Sequence, residues 1–248
     1  MASRWSGRGP RSVRDEAPLE AGDIVAAAVR LTAELGLEGW SLRQLAESLG
    51  CWPQAVTHHL GDREAVELAV VDHVVSMIVA PGGQVSWRGW FRALLWEFRS
   101  TLERYPGTAR WLSLHGPVVP SALPITDEGV RRLRDAGMAE RDAVLCYLAL
   151  VSVALLPVAY DDERAHRPRV VNRIHQVFTD HVDDPELPGF AAVARVWLAG
   201  DYSPALFEHA VERTLDGVVC RIAAVRESTL VSPAQPIPDN RRSDWQQG

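Results

Sequence analysis

Arginine supplies all 26 basic residues of this 248-residue chain, and lysine is absent. Codon bias accounts for the missing Lys in the first place, but the chemistry that remains is specific. A guanidinium grips a phosphate or a guanine edge through two parallel hydrogen bonds, which an ammonium cannot do. The other reactive side chains combine poorly. His58 and His59 are adjacent and so diverge on a helix, which is poor geometry for a metal. Cys51, Cys146 and Cys220 are widely spaced with no CxxC pair, which argues for a reducing compartment and against a disulfide frame or zinc cluster. No GxSxG elbow, GxxxxGK loop or HExxH pair is present. The expectation is a chain with no catalytic residues, no metal and no cofactor.

Composition narrows the class further. A hydrophobic content of 47% is enough for a sizeable core, and a formal charge of -6 does not suit a bulk binder of polyanions. Any contact with nucleic acid must be local. From Ala21 to Arg63 there are three Arg (30, 43, 63) against five acids (23, 34, 38, 47, 62), a net of -2, whereas residues 1–14 carry Arg4, Arg8, Arg11 and Arg14 unopposed.

Those side chains need helices to position them, and the periodicity is helical throughout. Ile24, Val25, Ala28, Leu31, Thr32 and Leu35 form one stripe ahead of Gly36. In SLRQLAESLG, Ser41 and Gln44 have the spacing of a reciprocal cap, predicting a short helix from Leu42 to about Leu49 that stops at Gly50. Pro53 suits the first position of the next helix, and Gly61 lies just past its end. With Ala46, Leu42, Leu45, Leu49, Val56 and Leu60 facing inward, the pair has the form of a helix-turn-helix, whose second helix fits the major groove. Asp62 caps a longer helix to about Ile78.

Beyond Pro81, Gly82 and Gly83, residues 87–105 show the clearest stripe, with Trp87, Trp90, Phe91, Leu94, Phe98, Leu102 and Tyr105 on one face and Arg88, Arg92 and Arg99 off it. Further helices are predicted at about 107–114, 125–135, 140–160, 168–182, 189–199 and 204–226, the last with Ser203 as cap and Pro204 at its first position. Residues 143–160 just reach the length of a membrane span. Interior Pro157 and the amphipathic surroundings favour a bundle centre or dimer seam, with no membrane partner. The acidic run Asp161, Asp162, Glu163 is expected to end that helix in solvent. The N-terminal run has no apolar stretch of the kind a secretory signal needs, so a cytoplasmic location is expected. The fold class is all-α: an Arg-bearing flexible arm (1–18), a helix-turn-helix domain (19–66), a helical regulatory and dimerisation domain (67–227) and a disordered tail (228–248).

The run IVAAAVRLTAELGLEGWSLRQLAESLG, followed by AVTHHLGDREAVELAVV, resembles the DNA-binding region of the tetracycline-repressor family of bacterial transcription regulators. SWRGWFRALLWEFRSTLERY at 86–105 is similar to a central helix of that family's regulatory domain, and FEHAVERTLDGV at 207–218 to its final dimer helix. The resemblance implies a homodimer joined through its C-terminal helices, bound to a palindromic double-stranded DNA operator and released by a small-molecule effector. It implies that Ser41 caps the second helix and touches phosphate, that Arg43 reads guanine, and that Gln54, Thr57 and His58 are exposed on the recognition helix. Arg63 stands where the family usually has a phosphate-binding Lys. Trp52 and Thr57 replace the family's usual polar residue and Tyr, and Leu60 its usual aromatic. Trp52 stands open between packing on the turn and touching DNA, and His59 between a packed imidazole and a base contact.

These departures leave a second reading, a relative that binds ligands or partners but no operator. The acidic head adds weight to it, unless the four Arg of the arm supply the positive charge that binding phosphate requires. For the effector, Leu94 and Leu112 stand where a tetracycline–magnesium chelate would meet polar groups. Trp90, Leu94, Phe98, Trp111, His115 and Tyr147 are the expected lining, each otherwise ordinary core, and they would suit a largely apolar or aromatic molecule held by one or two hydrogen bonds.

Overall fold

The computed structural model describes residues 19–83, 85–200 and 202–231, with side chains through residue 223. Eleven helices and no strand occur among the described residues. The arm at 1–18, with its four Arg, lies outside them, as do residues 232–248.

Three helices and the start of a fourth build the head: α1 (Ala21–Leu35), α2 (Leu42–Ser48), α3 (Pro53–Leu60) and α4 (Arg63–Ser76). The caps read from the sequence are formed. Ser41 Oγ accepts the Gln44 N–H while the Gln44 side chain accepts the Ser41 N–H, and Asp62 accepts the N–H of Ala65. Such caps are worth about 1 kcal/mol each. The turn between α2 and α3 closes through the Cys51 N–H, which donates to Ala46 O at 3.0 Å. Thr32 is fully buried on α1, where its hydroxyl donates to Ala28 O and accepts the Trp40 indole N–H, fixing the α1–α2 loop. The stripe on α1 is slightly rotated from expectation. Ala27 and Val29 are buried, while Leu35 is exposed at the end of the helix.

The body follows with α5 (Trp87–Leu102), α6 (Thr108–His115), α7 (Ala122–Asp135), α8 (Glu140–Ala165), α9 (Pro168–His181), α10 (Pro188–Leu198) and α11 (Tyr202–Val231). On α5, Trp90, Phe91, Leu94, Phe98 and Leu102 are buried as the stripe requires, Leu95 is buried in addition to them, and Trp87 is half-buried. Each such side chain contributes about 1.5–3 kcal/mol. Arg99 departs from expectation. It is only 7% exposed, because its guanidinium lies 4.7 Å from the Phe207 ring centroid and bonds Glu103 and Ser203.

At the centre lies α8, packed against α5, α6, α7 and α11. It is long and apolar enough to cross a membrane, yet Ala143, Tyr147, Leu150, Ala154, Leu155 and Val158 are buried against those helices. Its other side leaves Val144, Leu145, Leu148, Leu156 and Tyr160 exposed. The helix runs on through Pro157 to Ala165, five residues beyond expectation. The acidic run therefore sits inside α8 rather than ending it in solvent. Asp161 accepts the Ser203 hydroxyl at 2.6 Å, and Asp162 accepts the Gly107 N–H at 2.8 Å. Ser203 is accordingly inside α11 instead of capping it, and α11 continues to Val231, into the stretch expected as tail. Across the bundle, Arg88 and Arg92 of α5 clip Glu212 of α11, whose carboxyl those hydrogen bonds pull down to a pKa of about 2. The α9–α10 hairpin packs mainly on itself through Phe178, Phe190 and Trp197, and no residue of α9 is buried.

Candidate nucleic-acid interface and ligand cavity

The outward face of α3 is a short row of side chains with few internal obligations. Trp52, at its N-cap, is 68% exposed, and Gln54, Thr57, His58 and His59 are exposed as well. The His58 and His59 rings meet edge to face at 5.6 Å, and no metal-holding group of three or more His, Cys, Asp or Glu occurs among the described residues. Thr57 donates its hydroxyl proton to Gln54 O, leaving its oxygen lone pairs and methyl outward. Ser41 and Arg43 are exposed at the start of α2, where Arg43 pairs with Glu47 at 2.9 Å. A pair this exposed costs little to break. Val56 is buried on the opposite side of α3, so the face is presented as a unit.

Arg63 is the exception among the expected phosphate contacts. Its guanidinium turns inward over the Trp40 ring at 3.7 Å, donates to the carbonyls of Leu37 (2.5 Å) and Trp40, and pairs with Glu67 at 2.7 Å. The planar fork matches two adjacent carbonyl acceptors and a flat ring at once, a combination no lysine can satisfy. The two carbonyl bonds and the ring contact staple α4 to the α1–α2 loop.

In the body, a cavity of about 120 Å³ opens between α6 and α8, with walls from α4, α5 and α7. Phe98 and Tyr147 line it, together with Val75, Leu112, Ala122, Ile125, Val151 and Leu155, while Ser113, Leu148 and Ser152 stand at the exposed side. The remaining expected lining residues lie elsewhere. Trp90 and Leu94 are fully buried core on the same helix face as Phe98 but nearer its start; Trp90 packs edge to face on Phe91 at 4.9 Å and beneath Arg132. Trp111 and His115 stack on one another at 4.4 Å in a different cleft, between α6 and the head. Burial lifts the Tyr147 phenol above its usual pKa, and the hydroxyl pairs with Thr126 Oγ1 at 2.9 Å. Gly129 makes room for this ring: a Cβ there would stand 2.6 Å from a Tyr147 ring carbon.

Head and body are bonded at a junction that sequence reasoning missed. The Leu37 N–H donates to Pro106 O at 2.8 Å, and the next residue, Gly107, donates its N–H to Asp162 of α8. Arg110 of α6 adds an ion pair to Glu38. Gly107 holds φ +89°, and a Cβ there would crowd Leu37 at 3.1 Å, so the fit depends on glycine. Burial raises the Asp162 pKa, partly offset by the Gly107 hydrogen bond.

A helix-turn-helix head seated on a helical body with a side-chain-lined cavity defines a class of two-part, all-helical protein. Within it, a family model described as "Tetracyclin repressor-like, C-terminal domain" matches residues 80–222, and the chain belongs to that family. The chain is similar to the class C tetracycline repressor protein of Escherichia coli, at 27% identity over 51% of this chain and 59% of that one. The match thus spans less than two thirds of that repressor. The fold is that of the Streptomyces coelicolor TetR family protein ActR in complex with actinorhodin, with TM-score 0.72 and 21% identity over 83% of this chain and 97% of that chain. BioQ, solved with its natural double-stranded DNA operator, matches with TM-score 0.54 and 22% identity over 59% of this chain and 89% of the other.

Proposed function

We propose that the protein is a homodimeric transcription regulator, a repressor that leaves a palindromic double-stranded DNA operator when a small, largely apolar molecule enters the α4–α8 cavity. The observation that carries this reading is the junction. The loop leading into the helix-turn-helix is bonded to the α5–α6 turn, and that turn to α8, a wall of the cavity. The reading head comprises residues 19–66, and the regulatory and dimerisation part residues 67–227. The operator-facing side chains are Ser41, Arg43, Trp52, Gln54, Thr57, His58 and His59. Arg63 positions the head from behind. BioQ with its operator and ActR with actinorhodin lend the two halves of the reading precedent within the same fold. The apolar residues that α8 leaves exposed away from the cavity mouth, Leu145, Leu156 and Tyr160, with α11 beside them, are the surface through which two copies would join. The regulator is non-catalytic and acts in the cytoplasm.

Gel shift with the DNA flanking the protein's own gene tests the proposal. A retarded band that Trp52→Ala weakens tenfold or more supports it. The inward Arg63 and the net charge of -2 from Ala21 to Arg63 favour the competing reading, a ligand-binding relative without an operator. Absence of any shift across the flanking DNA, with the fold intact, would establish that reading instead.

A further inference from the structure

The cavity's polar groups share one property: their protons are already used. Ser113 Oγ donates to Ala109 O and Ser152 Oγ to Leu148 O, each at 2.8 Å. Tyr147 and Thr126 share one hydrogen bond. Either hydroxyl can donate; the phenol is the stronger acid of the two, and with Tyr147 as donor its oxygen keeps its lone pairs. What all three hydroxyls still present is lone pairs.

The backbone has the same bias. Where α6 ends against the cavity, the Gly116 N–H is taken by Leu112 O, and Pro117 has no N–H. The last turn of α6 offers only carbonyls, at the negative end of the helix dipole. Among the described residues, no Arg, His, Asp or Glu lines the cavity. An anion entering it would lose its hydration and meet only acceptors.

Size completes the description. An engineered apolar cavity of about 150 Å³ holds benzene. The interior here, about 120 Å³, takes one ring. Between Ser113 and Ser152, both exposed, the cavity opens to solvent, so a molecule longer than one ring can protrude there. We infer that the cavity takes a one- to two-ring, non-anionic molecule that donates hydrogen bonds through hydroxyl or N–H groups, and that it discriminates against acceptor-only and carboxylate analogues of the same shape. This rests on the reading of the cavity as the effector site.

Four naphthalenes titrated against the full-length protein, followed by tryptophan fluorescence and calorimetry, test both layers separately. The expected result is that 1-naphthol binds at least tenfold tighter than 1-methoxynaphthalene and naphthalene, while 1-naphthoate gives no saturable binding. Ser113→Ala with Ser152→Ala, both at the exposed mouth, should cut the naphthol advantage threefold or more and leave naphthalene affinity unchanged. If methoxynaphthalene equals naphthol, or naphthoate binds tightest, the donor rule is overturned while the cavity remains a ligand site. If none of the four binds, both the rule and the effector-site reading fall.

Discussion

The reading face and the cavity are positioned by opposite means. On α3 the outward side chains touch little, and their placement is set by backbone devices close in sequence: the Ser41–Gln44 reciprocal cap, Pro53 at the first turn, and the Cys51 N–H on Ala46. The cavity has no such local device. Its walls come from five helices, and its shape is whatever Phe98, Tyr147, Leu155 and their neighbours leave unfilled. The outward side chains of α3 are therefore free to vary without cost to the fold, whereas those around the cavity and behind the head also carry the packing.

Arg63→Ala should show that contrast at its largest. The change removes two carbonyl partners, the Glu67 pair and the Trp40 stacking, and we expect a loss of about 2–3 kcal/mol in denaturant unfolding, little of it restored by Arg63→Lys. A phosphate-contacting Arg63 would give the reverse pattern: unchanged stability, weaker operator binding and a shallower salt slope.

Gly129→Ala comes next. Its methyl group would drive into the Tyr147 ring, and overpacking of this kind costs about 2 kcal/mol. The same substitution made with Tyr147→Leu should recover much of that loss; two additive losses would mean that Gly129 matters for another reason.

Asp162 lies between the two regions, and its effect should be smaller. Asp162→Ala removes the acceptor for Gly107 and should cost about 1 kcal/mol, while Asp162→Asn keeps an oxygen there. Burial raises the folded-state pKa, so the folded chain holds the proton more tightly than the unfolded one. The stability this carboxyl contributes is thus greatest below its unfolded pKa and falls as pH rises through the folded value. Relative to the native protein, Asp162→Asn should gain stability as pH rises across that window, with the difference closing in acid; a gain that instead grows toward low pH would contradict the assignment.

The helices were legible because their signals are local. Ser41 with Gln44, Pro53 and the α5 stripe each specify structure within a few residues. The cavity was half legible. Trp90, Leu94 and Phe98 share a face, but periodicity gives the face and not the height along it, and only Phe98 reaches the void. The contacts of Arg63 and of the Asp161–Asp162 pair were not legible for a related reason. Their partners, Leu37, Trp40, Ser203 and Gly107, are distant in sequence, and a charged side chain carries no local mark of being satisfied by a far-off carbonyl or amide.

Trp52→Ala should be the mildest change for the fold and among the sharpest for function. At 68% exposure the indole buries little, so unfolding free energy should stay within about 0.5 kcal/mol of the native protein. On the proposed reading, the exposed indole at the N-cap of α3 touches DNA. Its loss should weaken operator binding tenfold or more, which is about 1.4 kcal/mol. The two readouts together separate the alternatives for this residue. A packing role on the turn would lower stability and leave the affinity of the remaining folded protein intact, which would make the reading face, like the cavity, a surface whose shape and fold cannot be varied apart.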